Sequence, residues 1–239
     1  MFKNLKDIEK PAGKKFLNGD VFFCKVGKSW IRSKHFFKNN KKNGAIICLD
    51  FDGVVVDLSE CKSHFLKENG FMIEPEESSR QKCLARGVPL KQYREISSLV
   101  ATKHLMELSV EKGAIEGICY LNKSNDIYIV TSRNEKEAEA IISFMDFHEI
   151  IIDGILSVND RSKLNSLAAI SPHIFIDDSL NKLMDLLDKE LKCIIELLSE
   201  CRLFLYENIT NKDESLCNLP IEKIKNWEEI KELVDDVIN

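Results

Sequence analysis

The sequence predicts an α/β fold: a Rossmann-like parallel sheet with helices on both faces, plus a mostly helical cap insert. Three observations lead there. The apolar runs Ala45–Leu49, Ile127–Val130 and Ile174–Ile176 are short, rich in isoleucine and continuous rather than alternating. Such runs suit strands buried on both faces of a parallel sheet. The segments between them carry apolar residues at a spacing near that of a helix. Each run also ends in acids or hydroxyls: Asp50 and Asp52, Thr131 and Ser132, Asp177 and Asp178. In open α/β sheets that carboxyl edge is where ligands bind.

The elements follow in chain order. Residues 1–44 carry 12 Lys/Arg against 3 Asp/Glu, with Phe2, Phe16, Phe22, Phe23, Trp30, Phe36 and Phe37 interleaved. Asp20–Val26 and Ser29–His35, either side of Gly27-Lys28, read as a hairpin. This stretch is an N-terminal extension, expected outside the fold, whose aromatics pack on the core while its lysines stay in water. The alternative is a basic surface that binds nucleic acid. The first core strand then runs into Asp50-Phe51-Asp52-Gly53. Residues 59–121 form a helical insert broken at Asn69-Gly70 and at Gly87-Val88-Pro89; its third section repeats Ile96, Leu99, Val100, Leu105 and Leu108. An insert of this size can cover a site and exclude water. The core is thus assigned to residues 45–58 and 122–239, and the cap to 59–121.

Asp126–Thr131 is the second core strand, and Asn134 is placed to cap the next helix, with Glu135 and Glu137 in its first turn. Thr131 and Ser132 lie beside that helix N-terminus; the pair suits phosphate, and ordinary capping is the other reading. Ile150–Leu156 reads as a third strand and Lys163–Ala169 as a helix. A fourth strand ends in Asp177-Asp178-Ser179, Leu180–Leu198 is helical, Cys201–Tyr206 is a fifth strand, and Ile221–Val237 ends in a helix around Trp227.

Composition narrows the class. No apolar run approaches the ~18 residues of a membrane-spanning helix. Eight cysteines without a C-x-x-C pair read as reduced thiols of a cytoplasmic protein, and they offer no zinc motif. Net charge is −5, with 22 Lys/Arg against 36 Asp/Glu beyond residue 44.

The carboxylates point to one chemistry. Two acids at a strand end repel unless a cation or proton lies between them. Magnesium takes oxygen ligands and keeps substrate phosphate in its shell. A carboxylate can attack phosphorus to give an acyl phosphate, and a second can handle the leaving-group proton. A solvated strand end with an Asp-Gly turn is the competing reading.

Taken in order, strand–Asp-Phe-Asp-Gly, helical insert, strand–Thr-Ser, lysine, and strand–Asp-Asp resemble the haloacid dehalogenase-like (HAD) hydrolase superfamily. The resemblance covers about residues 45–239, including the Trp227-Glu228-Glu229-Ile230 helix. It implies Asp50 as a nucleophile that becomes aspartyl-phosphate. It implies Asp52 as general acid and base, its backbone carbonyl also binding magnesium. Thr131 would hydrogen-bond the transferring phosphoryl group, Lys163 would neutralise charge, and Asp178 with Asp177 would complete the magnesium site. Lys182 is an alternative for the lysine role. The insert resembles the helical cap of the phosphoglycolate phosphatase branch.

The acid at position 52 favours a phosphatase over a dehalogenase, because dehalogenases of the superfamily lack it. Receiver domains share these residue types, but place the acidic pair first in the chain. The expected substrate is a small phosphorylated metabolite such as a sugar phosphate or nucleotide. Ser132, Arg133, Gly53, Arg86 and Arg94 are candidates to contact it, with Arg80, Lys91 and His104 beside them. The alternatives are a phosphatase for nucleic-acid ends, a phosphomutase and a silent binding protein.

Overall fold

The computed structural model describes residues 20–26, 29–33, 42, 44–187 and 200–238. The acids and hydroxyls at the ends of the central strands are brought together by an eight-stranded sheet of order β10-β9-β8-β3-β6-β7-β1-β2. The strands are β1 (Val21–Val26), β2 (Ser29–Ser33), β3 (Ile46–Leu49), β6 (Asp126–Thr131), β7 (Gly154–Ser157), β8 (Ile174–Asp177), β9 (Arg202–Tyr206) and β10 (Ile221–Ile224). The run β10 to β7 is parallel throughout, with β1 and β2 added antiparallel at one edge. The chain goes from β3 to β6 on one side and returns to β8 on the other. That reversal opens a crevice at the carboxyl end of β3.

Both faces of the sheet are covered, so its strands read as continuous apolar runs. Ile47 and Leu49 of β3 join one cluster with residues of α4 (Ala114–Leu121), α5 (Glu135–Phe147) and α8 (Trp227–Ile238). Ile46 and Cys48 join the other, with residues of α6 (Leu164–Ile170) and α7 (Leu180–Asp185). Trp227 is buried and its Nε1–H donates to the Val54 carbonyl at 2.9 Å, pinning the loop beyond Asp52 to α8. Gly117 of α4 gives the indole its room: a Cβ there would overlap the ring. As expected, Asn134 caps α5; its Oδ1 accepts from Glu137 N at 3.1 Å and Glu137 returns a bond to Asn134 N.

The helical insert comprises α1 (Ser59–Glu68), α2 (Arg80–Ala85) and α3 (Leu90–Thr102). Its two connections run side by side as a short antiparallel pair, β4 (Val56–Asp57) with β5 (Ser109–Val110). Leu66, Ile73, Cys83, Tyr93, Ile96 and Val100 belong to the same apolar cluster as Ile47 and Leu49. The insert therefore packs as a continuation of the core on that face.

Two expectations change. The hairpin strands form, but β1 pairs with β7, so residues 21–26 and 29–33 extend the core sheet instead of standing outside it. The reason is that β7 would otherwise expose an unpaired edge, and Phe22 and Phe23 bury themselves on opposite faces. The remaining basic and aromatic residues of the extension at 1–19 and 34–41 lie outside the described residues. The strand expected over 150–156 is limited to β7, because the Asp153 carboxylate accepts from Ile127 N and ends the ladder at Gly154. The closing helix around Trp227 forms as expected, and the stretch before it holds a strand that the sequence reading did not name. Ile221–Ile224 pairs with β9 as an edge strand, its ends buried and Glu222 exposed, and Asn226 caps the helix by accepting from Glu229 N. Of the helix expected over 180–198, α7 is described and residues 188–199 lie outside the described residues. No helix among the described residues is long and apolar enough to cross a membrane.

Candidate active site

The site is built where β3, β6 and β8 end. Asp50 follows β3, its backbone N–H donating to the Ile176 carbonyl at 2.8 Å, which fixes it beside β8. Its side chain is 1% exposed. Oδ1 accepts from Phe51 N at 2.7 Å, and Oδ2 lies 2.8 Å from both Lys163 Nζ and Lys182 Nζ. Burial alone would push this carboxyl's pKa up, but the two ammonium groups outweigh it and hold the pKa far below the usual carboxylate range. Asp50 is therefore an anion in a dry setting.

Lys163 precedes α6 and is buried. Its Nζ bridges Asp50 to Asp177, 2.7 Å from Asp177 Oδ2. Lys182, on α7, is 35% exposed at its side chain and lies 3.8 Å from Asp177 Oδ1. Both lysines that the sequence offers for the phosphate-contacting role thus contact the same Asp50 carboxylate oxygen.

Asp50, Asp177 and Asp178 each offer a carboxylate oxygen, all within 4.8 Å of one another. Burial raises the Asp178 pKa to about 7; Asp177 and Asp50 add to the rise, against Lys182. An all-oxygen donor set with this excess of negative charge fits a hard divalent cation such as magnesium. Gly53 lies close to this group. Its φ is +77°, and a Cβ would overlap the Asp178 carboxylate, so a side chain is excluded on both counts.

Asp52 takes a different partner. Arg133 Nη2 donates to its Oδ1 at 2.7 Å and Nε at 3.2 Å, while Nη1 donates to the Ala101 carbonyl at the end of α3 at 2.9 Å. Arg133 is 5% exposed and lies over the Phe51 ring, 5.0 Å from its centre. Thr131 is buried at the end of β6, its Oγ1 accepting from Arg133 N.

A cavity of about 620 Å³ lies between the strand ends and α1–α3. Asp52, Gly53, Ser132, Arg133, Asp178 and Lys182 are among its lining residues, with Lys62, Tyr93, Arg80 and Arg94 from the helical insert. Arg80 and Arg94 both pair with Asp160, at 3.0 and 2.9 Å. Arg86 pairs with Glu77 within the insert and does not line the cavity. Lys91 faces Glu95 and His104 faces Glu107.

Sequence reasoning missed the asparagines after β9. Asn208 Nδ2 donates to Asp178 Oδ2 and to the Gly53 carbonyl, both at 3.2 Å, and Asn211 Nδ2 donates to the Asp178 carbonyl at 2.6 Å. The signal in the sequence is only Asn208 and Asn211 after an apolar strand, which reads as a turn.

Comparison with known proteins bears on the fold and the family. A nucleotidase of Clostridium acetobutylicum is 23% identical over 193 residues, covering 79% of this chain and 93% of the relative. Solved structures of similar fold include a provisionally assigned phosphoglycolate phosphatase of Lactobacillus plantarum (15% identity, 80% of this chain and 99% of that one, TM-score 0.55). Another is a HAD hydrolase of Entamoeba histolytica (18%, 80% and 98%, TM-score 0.52). A haloacid dehalogenase-like protein of Agrobacterium tumefaciens is a third (13%, 82% and 99%, TM-score 0.53). These likenesses show the HAD fold. Residues 25–192 match the 5'-nucleotidase family, and with that match over most of its length the chain belongs to this family, as a hydrolase of phosphate esters built on the HAD fold.

Proposed function

We propose that the protein is a magnesium-dependent phosphatase that hydrolyses a 5'-nucleotide through an aspartyl-phosphate on Asp50. The observation that carries this is the buried Asp50 carboxylate, kept ionised by two lysines at the strand end that also holds Asp177 and Asp178. The family match and the nucleotidase relative support the nucleotide as substrate.

A phosphate monoester is an anion, so an anionic nucleophile is repelled until positive charge offsets both. When bound by Asp50, Asp177, Asp178 and the Asp52 backbone carbonyl, magnesium supplies part of that charge. Lys163 and Lys182 supply the rest from the protein. A carboxylate oxygen of Asp50 attacks phosphorus and the bond from phosphorus to the ester oxygen breaks. Asp52 gives its proton to the departing oxygen, leaving a nucleoside and phosphorylated Asp50. Asp52, now ionised, takes a proton from the water that attacks the acyl phosphate, and inorganic phosphate leaves. Thr131 hydrogen-bonds the transferring group's oxygens, and Arg133 orients Asp52 between these steps. The helices α1–α3 act as a cap that screens the cavity from water.

The test is phosphate release from 5'-nucleoside monophosphates, 3'-nucleoside monophosphates, sugar phosphates and 5'-phosphorylated oligonucleotides, with magnesium. Preferred turnover of 5'-monophosphates is expected. Hydrolysis confined to another class of ester would overturn the substrate assignment and leave the phosphatase reading in place.

A further inference from the structure

Five basic side chains line the cavity among the described residues: Lys62, Arg80, Arg94, Arg133 and Lys182. Four of them are engaged. Arg80 and Arg94 hold Asp160, Arg133 holds Asp52, and Lys182 holds Asp50. Lys62 differs: among the described residues no carboxylate lies within ion-pair distance of its ammonium. Its charge is not idle. The side chain leaves α1 half-buried, and Nζ lies 5.7 Å from the centre of the Tyr93 ring, which α3 presents with 8% exposure.

Burial works against the charged form of Lys62, yet Tyr93, Asp52 and Asp178 outweigh it and keep its pKa above the ordinary lysine value. The two carboxylates acting on it belong to the reaction centre. One is the candidate general acid; the other belongs to the cation-binding group. Lys62 thus lines the same cavity as these two carboxylates and has no ion-paired carboxylate among the described residues. A substrate bringing a doubly charged phosphate into this cavity would supply an anion for it.

We infer that Lys62 is a substrate-binding residue that α1 delivers to the phosphoryl group from the helical side of the cavity, with the Tyr93 ring fixing its side chain. Together with Lys182 on the strand-end side of the cavity, it gives the phosphoryl group positive charge on two sides. The contact is to the phosphate and not to the nucleoside, because Lys62 lines the same cavity as Asp52 and Asp178. This inference rests on the phosphatase reading.

The experiment compares wild type, Lys62→Met, Lys62→Arg and Asp50→Asn, using a 5'-nucleoside monophosphate, the compact ester p-nitrophenyl phosphate and inorganic phosphate as inhibitor. A charge-assisted hydrogen bond lost at the substrate corresponds to about a tenfold to hundredfold loss. For Lys62→Met the expected result is a KM raised by that factor for both esters. Inhibition by inorganic phosphate should weaken by a similar factor, Lys62→Arg should recover most of it, and the melting temperature should be unchanged. An unchanged inhibition constant for phosphate would overturn the inference, as would a KM effect confined to the nucleotide. Absence of phosphate release from every ester by the wild type would instead overturn the phosphatase reading, and turnover that survives in Asp50→Asn would overturn the assignment of Asp50 as nucleophile; both are read separately.

Discussion

Replacing Lys163 by Met separates the two lysines that share Asp50. Its ammonium lies 2.8 Å from Asp50 Oδ2 and 2.7 Å from Asp177 Oδ2, with all three side chains at most 2% exposed. Met keeps the length of the side chain and removes the charge. Asp50 retains Lys182 at 2.8 Å, but for Asp177 the remaining ammonium is 3.8 Å away. Removing one partner of a buried pair costs about 3–5 kcal/mol, because the other charge stays buried and uncompensated. Since Lys182 offsets part of that, about 3 kcal/mol is expected, or roughly 6–12 °C in melting temperature for a chain of this size. Lys182→Met removes a 35% exposed partner, screened by water, and should cost no more than about 1 kcal/mol. Thermal unfolding without added metal, at neutral pH, measures both. Adding Asp177→Asn to Lys163→Met should restore part of the loss, since both partners are then neutral. Equal melting temperatures for the two lysine variants, or a Lys163→Met protein as stable as wild type, would refute the account of the buried bridge.

Other parts of the structure make their own demands. Gly117→Ala pushes a methyl into the Trp227 indole, whose Cζ3 and Cδ2 lie 3.2 and 3.3 Å from that point; the urea midpoint should fall by an amount worth about 1–3 kcal/mol, with the slope unchanged. Asp178, with its pKa raised to about 7 in the folded protein, keeps a proton that the unfolded chain has lost. Its contribution to metal-free stability therefore falls as pH rises between about 4 and 7. Magnesium needs the ionised form, so the gain in melting temperature on adding magnesium should be larger near pH 8 than near pH 5, and Asp178→Asn should flatten that difference. A gain that is flat with pH in wild type would contradict this. Asp20 anchors the N-terminal hairpin, accepting from Ser166 Oγ at 2.8 Å and pairing with Arg161. Asp20→Ala should speed amide exchange at Phe22–Cys24 while leaving exchange in β3 unchanged.

The skeleton of the candidate site was legible because each part sits inside a short run with a local signature. Asp50 and Asp52 follow an apolar run, Asp177 and Asp178 follow another, and Lys163 opens a helix beside them. The contacts that hold them were not legible, because the partners arrive from far along the chain. Arg133 reaches Asp52 across 81 residues, and Lys182 reaches Asp50 across 132. Asn208 reaches Asp178 across 30. The hairpin's glycine turn is a local feature, whereas its docking depends on the open edge of β7, which no residue of the hairpin encodes. Likewise β10 has four residues and leads directly into α8, and only its neighbour β9 makes it a strand.

The central claim is that Asp50 carries the phosphoryl group. Rapid acid quenching of the enzyme during turnover of a 5'-nucleoside monophosphate with magnesium, followed by mass analysis of the peptides, addresses it directly. The account predicts a phosphoryl group on the peptide containing Asp50 in wild type, none on the corresponding Asp50→Asn peptide, and no turnover by that variant. Phosphate release by Asp50→Asn, or a phosphoryl group trapped on a different residue, would contradict it.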